Sequence, residues 1–192
     1  DGEGELWRIT AGLIWAANHG ADVANLSIGF PENTRTLHDL LDGLDGLPNP
    51  TTFPIGTRRL AVSVASGNGG NTTEIFPAAE QRDGMLSVAA SPRYDSLATF
   101  SSYHRSWVDV SAPGEEIVSA LPGGRYGMWS GTSMAAPIVA GITALVKARY
   151  PTTFATPHAL LDHVKETSVD KRWNDVPPWG EVRLKRVDAL CA

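Results

Sequence analysis

Residues 60–65, Leu60-Ala61-Val62-Ser63-Val64-Ala65, are apolar at nearly every position and run directly into the glycine-rich turn Ser66-Gly67-Asn68-Gly69-Gly70. A strand with one wet face alternates apolar and polar residues, whereas a strand covered on both faces does not. This run therefore predicts a buried strand of a parallel sheet with helices over both faces. Residues 22–29 end in a similar way, in Ser27-Ile28-Gly29, and residues 85–90 form a third such run. Helical patterns lie between and around them. Leu6, Ile9, Leu13, Ala16 and Ala17 recur at helical spacing over residues 5–18, with Gly20 as a left-handed stop. A second helix, capped by Thr36, places Leu37, Leu40, Leu41 and Leu44 on one face and ends between Gly43 and Gly46. Strands alternating with helices give the α/β class.

At 192 residues the chain suits one domain with a sizeable core. Its formal charge of −5 is spread without a long run of one sign, which points to neither nucleic acid nor a membrane as partner. The single cysteine, Cys191, excludes an intrachain disulfide and a cysteine-rich metal cluster. No apolar run approaches bilayer-spanning length, and residues 1–5 lack the basic flank and apolar segment of a secretion signal. The six tryptophans are scattered without interleaved basic clusters, so they read as packing residues rather than a base-stacking platform.

Residues 130–141, Ser130-Gly131-Thr132-Ser133-Met134-Ala135-Ala136-Pro137-Ile138-Val139-Ala140-Gly141, set a serine between a glycine-led turn and a helix over residues 135–150. Ile138, Ile142, Leu145 and Val146 are the expected apolar face, and Pro137 is expected in the first turn. At a helix N-terminus the unpaired N–H groups and the macrodipole favour negative charge beside the Ser133 hydroxyl. A serine there is ordinarily a helix cap. This stretch, however, closely resembles the nucleophile signature of the subtilisin-like serine proteases, the subtilases. The resemblance implies a three-layer subtilisin-like α/β fold with a mostly parallel sheet, and makes Ser133 the nucleophile that attacks a peptide carbonyl.

Other segments carry the same resemblance. The loop Val64-Ala65-Ser66-Gly67-Asn68-Gly69-Gly70 is similar to the one that supplies the oxyanion-hole asparagine, which makes Asn68 the second catalytic residue. An Asn amide is a neutral donor and does not compete for protons where a carbonyl oxygen becomes negative. By the same resemblance Ser27, Ile28 and Gly29 pair their main chain with a substrate peptide, and Ala65, Ser66 and Gly67 line one wall of the S1 pocket. Thr132 joins the substrate-binding set. The small side chains at 65–67 are expected to leave room for a sizeable P1 residue. Phe76-Pro77-Ala78 resembles a family segment with a cis proline bond, and residues 97–137 track the family almost continuously through F-S-S, V-D-V, A-P-G and a hairpin around Pro122-Gly123-Gly124. A further helix starts at Thr156-Pro157, with Leu160, Leu161 and Val164 on one face. The tail is expected to form a closing strand and helix.

A serine hydroxyl is a weak nucleophile until a histidine takes its proton, and a carboxylate orients that imidazole. The family carries this Asp and His in D-[ST]-G and H-G-T-H type motifs, and neither motif occurs here. His19, His38, His104, His158 and His163 lie in stretches whose counterparts are not catalytic, and Asp109 reads as structural. The resemblance thus implies the C-terminal portion of a subtilase catalytic domain over residues 1–192, without the N-terminal strands that carry the Asp and His. Its partners would be that N-terminal portion and a polypeptide substrate. No cofactor is required for the chemistry and no metal ligands are assigned, although structural calcium is common in the family, as is an extracellular setting. The alternative is an inactive subtilase-like module that binds or scaffolds peptides.

Overall fold

The computed structural model describes residues 5–45, 59–94, 96–173 and 182–187. The elements follow the chain as α1 (Leu6–Asn18), β1 (Val23–Leu26), α2 (Arg35–Asp45), β2 (Ala61–Ala65), β3 (Met85–Ser91), β4 (Val110–Pro113), β5 (Ile117–Leu121), β6 (Arg125–Trp129), α3 (Thr132–Arg149), α4 (Pro157–Glu166), β7 (Val169–Trp173) and β8 (Val182–Arg186), with a short 3₁₀ turn at Ala78–Glu80. One sheet has the order β1-β2-β3-β4-β8-β7. It is parallel throughout except where β7 pairs antiparallel with β8. Hairpin β5–β6 stands apart from it.

The expected buried strands are present, and their pleat sorts the core into two layers. Leu60, Val62 and Val64 face α1 and α2, joining Leu13, Ala17 and the four leucines of α2. Ala61 and Ala65 face α3 with Leu86, Val88 and Ala90 of β3. Helices therefore cover both sides, giving three layers. Because β1 and β2 run parallel and in register, from Val23 opposite Ala61 to Leu26 opposite Val64, their following loops leave at the same edge of the sheet. In parallel α/β sheets that carboxyl edge is where ligands bind.

Several local expectations shift. The cap of α2 is Thr34 rather than Thr36: its Oγ1 accepts from the Leu37 N–H at 3.2 Å, and its carbonyl accepts from His38 N–H. Thr36 lies inside the helix, where its hydroxyl cannot reach that donor. His38 is about half exposed, yet it leans on a buried ion pair, with Nδ1 3.2 Å from Glu80 Oε2 and Arg82 joining Glu80 to Asp42. Trp107 is buried, but Trp7, Trp15 and Trp129 are about 60% exposed, so packing does not account for all the tryptophans. Strand β7 was not expected. The loop of residues 47–57 and the closing helix fall outside the described residues. Thr156 caps α4 as expected, accepting from Ala159 N–H at 3.2 Å, and the Phe76-Pro77 bond is cis.

Helix α3 differs most from its expected form. It starts at Thr132, which moves Pro137 into the second turn. The buried stripe is Thr132, Ala135, Ala136, Val139, Thr143 and Val146, while Leu145 is 69% exposed. Contact with the sheet selects small residues here: Ala61, Ser63 and Ala65 on β2 meet Ala135 and Ala136, and Ser63 Oγ donates to Ala136 O at 2.8 Å.

Proline has no N–H, so Pro137 removes the bond that would reach back to Ser133 O. Ser27 replaces that bond, its hydroxyl donating to Ser133 O at 2.8 Å. One hydrogen bond thus ties the end of β1 to the first turn of α3. Ser27→Ala is expected to destabilise the protein by about 1 kcal/mol, read as a lower denaturation midpoint at unchanged m-value. An unchanged midpoint would show that solvent satisfies the freed carbonyl.

Candidate active site

The N-terminus of α3 is set by close backbone contacts. Gly131 N–H donates to Gly114 O at 2.7 Å, and Ser130 Oγ accepts from Glu116 N–H at 2.9 Å. A Cβ on Gly114 would stand 2.6 Å from Ala90 Cβ and 2.8 Å from Gly131 O, so only glycine permits this approach. The A-P-G and G-T-S segments are therefore pinned together.

An α-helix starts with unpaired N–H groups. Here Thr132 N–H donates to Asn68 Oδ1 at 2.8 Å, and Met134 N–H turns back to Gly131 O at 3.0 Å. Among the described residues Ser133 N–H has no partner, and the Ser133 hydroxyl makes no hydrogen bond. The helix thus presents one free donor beside one free hydroxyl, both at the positive end of its dipole.

Asn68 is oriented by the same contact. Its Oδ1 accepts from both the N–H and the Oγ1–H of Thr132, at 2.8 and 3.0 Å. A backbone N–H can only donate, which fixes the carbonyl end of the amide and rules out the flipped assignment. The Nδ2 group then points elsewhere, and among the described residues it has no partner. Thr132 Oγ1 also accepts from Gly67 N–H at 3.1 Å, so this one buried side chain holds loop and helix together.

These groups open onto one cleft of about 260 Å³ at the carboxyl edge of the sheet. Ser133, Asn68 and Thr132 line it from one side, with Ala65 and Gly67 beside them and Ser27, Ile28 and Gly29 opposite. Sequence reasoning named all eight. Ser66 does not line it: it is fully buried, and its hydroxyl donates to Ser102 O at 3.0 Å, so it braces the wall instead. Residues 27–29 lie beyond the β1–β2 ladder, and among the described residues their N–H groups are unbonded. They are therefore free to pair with an extended peptide.

The space beside residues 65–67 is smaller than their own side chains suggest. Ile75 also lines the cleft, and its branches lie against both Gly29 and Gly67. Small side chains along the wall made a pocket the natural expectation; a residue folded in from a distant loop enters that space. Ser102 was missed as well. Its N–H donates to Gly67 O at 2.9 Å and its Oγ accepts from Gly69 N–H at 3.2 Å, so it shapes the Asn68 loop. The F-S-S segment carried that signal, but no spacing argument linked it to residues 66–70.

None of the five histidines reaches this cleft. His19 stacks on Trp15, His104 on Trp107 and His163 against Phe154. His38 joins the Glu80 pair, and His158 Nε2 lies 3.2 Å from Asp162. Asp109 is structural, accepting from Ser87 N–H at 2.9 Å and from Lys165 at 2.5 Å. Among the described residues no group of three or more His, Cys, Asp or Glu could hold a metal ion. No described helix is long and apolar enough to cross a membrane.

A family model described as "Subtilase family" matches residues 1–180. A "Thermophilic serine proteinase" from Bacillus sp. (strain AK1) is 41% identical over 146 residues, covering 76% of this chain and 33% of its own length. "Subtilisin BL" from Lederbergia lenta is 36% identical over 168 residues, covering 88% of this chain and 56% of its own length. This chain thus spans between a third and just over half of these curated relatives. A solved structure titled "Crystal structure of a cold adapted subtilisin-like serine proteinase" matches with TM-score 0.79 at 26% identity, covering 100% of this chain and 64% of that one.

Proposed function

Because the chain belongs to the subtilase family, we propose that it supplies the nucleophile, the oxyanion hole and one wall of the substrate cleft of a serine endopeptidase. The supporting observation is the pairing of two unsatisfied donors, Ser133 N–H and Asn68 Nδ2, around an unbonded hydroxyl in one cleft. In this reading a peptide lies along residues 27–29 and presents its carbonyl to Ser133. The serine oxygen bonds to the carbonyl carbon while its proton passes to an imidazole. The carbonyl oxygen becomes an oxyanion and accepts hydrogen bonds from Asn68 Nδ2 and Ser133 N–H. The C–N bond then breaks, the imidazole returns its proton to the leaving amine, and an acyl-enzyme remains on Ser133. Water, deprotonated by the same imidazole, releases the acid.

The imidazole and the carboxylate that orients it come from a polypeptide segment outside residues 1–192. That segment extends the sheet at β1, whose outer edge has no strand partner among the described residues. Residues 1–192 alone would therefore bind peptide without hydrolysing it. The test is a pre-steady-state assay of the complete protein with a chromogenic ester. Accumulation of an acyl-enzyme predicts a burst of about one product equivalent per site. Peptide binding with neither burst nor turnover would favour the inactive binding module instead.

A further inference from the structure

One side chain, Ile75, lies between the two glycine-containing strips that line the cleft. A Cβ built on Gly29 would lie 2.6 Å from Ile75 Cγ2, and one built on Gly67 would lie 3.1 Å from Ile75 Cγ1. Gly29 follows β1 and Gly67 follows β2, so the two branches of Ile75 bridge the strips that would flank a substrate side chain. Carbons in contact stand about 3.5–4.0 Å apart, so a side chain on either glycine would collide with Ile75, which fills the space between the two strips.

Ile75 is also held in place. Directly after it, Phe76 and Phe30 form an isolated antiparallel bridge, with Phe30 N–H to Phe76 O at 2.7 Å and Phe76 N–H to Phe30 O at 2.9 Å. The Ile75 carbonyl accepts from Ala79 N–H at 2.9 Å, starting the 3₁₀ turn. A β-branched side chain is stiff at χ1, so on this fixed backbone it cannot swing aside for a ligand.

We infer that Ile75 is a specificity-determining residue that restricts the slot between the two strips to small side chains, such as that of alanine, and excludes aromatic ones. This rests on the endopeptidase reading above. Ile75 itself offers branched carbon, so a methyl group sits against it without burying an unpaired polar group. A phenyl ring would require Ile75 to leave.

The test uses the complete protein and two chromogenic peptides that differ only in alanine or phenylalanine before the scissile bond. The wild type is expected to favour alanine in kcat/KM. Ile75→Ala is expected to raise the phenylalanine-to-alanine ratio by about 10- to 100-fold. Ile75→Val, which removes one carbon and preserves the branch, should move the ratio in the same direction by less, and it serves if the alanine variant does not fold. A wild type that prefers phenylalanine, or ratios unchanged within about twofold in both variants, would overturn the inference. Absence of all peptide turnover would count against the protease reading. In that case the same two side chains, carried on fluorescent peptides binding to Ser133→Ala and to the Ser133→Ala/Ile75→Ala double variant, should still show the shift in Kd ratio; its absence there would overturn the slot assignment.

Discussion

Replacing Ser133 by alanine in the complete protein is expected to abolish peptide hydrolysis, lowering kcat by about 10⁶-fold, the size of the effect for the nucleophile of subtilisin itself and carried over from it. The physical basis here is that no other hydroxyl among the described residues meets the same conditions. Thr132 is one residue earlier, but its Oγ1 is buried, donates to Asn68 and accepts from Gly67. Ser27 spends its hydroxyl proton on the Ser133 carbonyl. Among the described residues Ser133 alone joins an unbonded hydroxyl to the free end of a helix dipole. The same variant should retain peptide binding, since the main chain of residues 27–29 is untouched. Measured kcat within tenfold of wild type would remove Ser133 from the chemistry.

The second large effect is expected at Asn68, and the choice of variant matters. Asn68→Ala removes the Nδ2 donor but also strips Thr132 N–H of its acceptor, which mixes a catalytic loss with a structural one. Asn68→Asp separates them. Its carboxylate still accepts both Thr132 bonds, while a negative oxygen replaces the donor that faces the oxyanion. Loss of such a donor costs about 10²- to 10³-fold in kcat, a figure taken from the corresponding asparagine in subtilisin. The Asp variant should lose at least that much, because repulsion adds to the missing bond, with KM changed by less than about threefold. Thermal unfolding should stay near the wild-type midpoint for Asp and fall for Ala. Near-normal kcat in Asn68→Asp would show that Nδ2 does not meet the developing charge.

The parts of the structure that the sequence revealed share one property: their signal is local. Strands β2 and β3 are apolar on both faces because helices cover both faces, so every residue reports the same environment. The cleft residues were legible because Ser133, Asn68 and residues 27–29 each sit in a short segment that resembles a family motif, whereas their own patterns indicate only a helix cap, a turn and a strand end. The face of α3 was read only in part. Val146 is buried and Ile138 and Ile142 pack partly buried against the core as expected, but Leu145 is exposed, and the closest approach to β2 is decided by side-chain size, so the alanines take it. Strand β7 was missed because its sequence, Val169-Asp170-Lys171-Arg172-Trp173, is charged, as befits a strand at the sheet edge. Ile75 lies in a loop with no pattern of its own. Its position against Gly29 and Gly67 depends on three segments meeting, which periodicity cannot report.

Those long-range contacts also define what the proposed endopeptidase reading requires. In that reading the oxyanion donors and the nucleophile arise from one loop and one helix terminus of this chain. Proton transfer needs a group that the five histidines cannot supply, since each is engaged away from the cleft. In the proposed reading the base arrives on another segment, on the side of β1 that has no strand partner among the described residues.

The most direct measurement is therefore covalent. The complete protein is treated with a fluorophosphonate, which reacts with a serine only when an adjacent base activates it, and the adduct is located by peptide mass spectrometry. The account predicts a single stoichiometric adduct on Ser133, and none on residues 1–192 prepared alone. An adduct on a different serine, or an unlabelled Ser133 in a protein that still cleaves peptides, would contradict it.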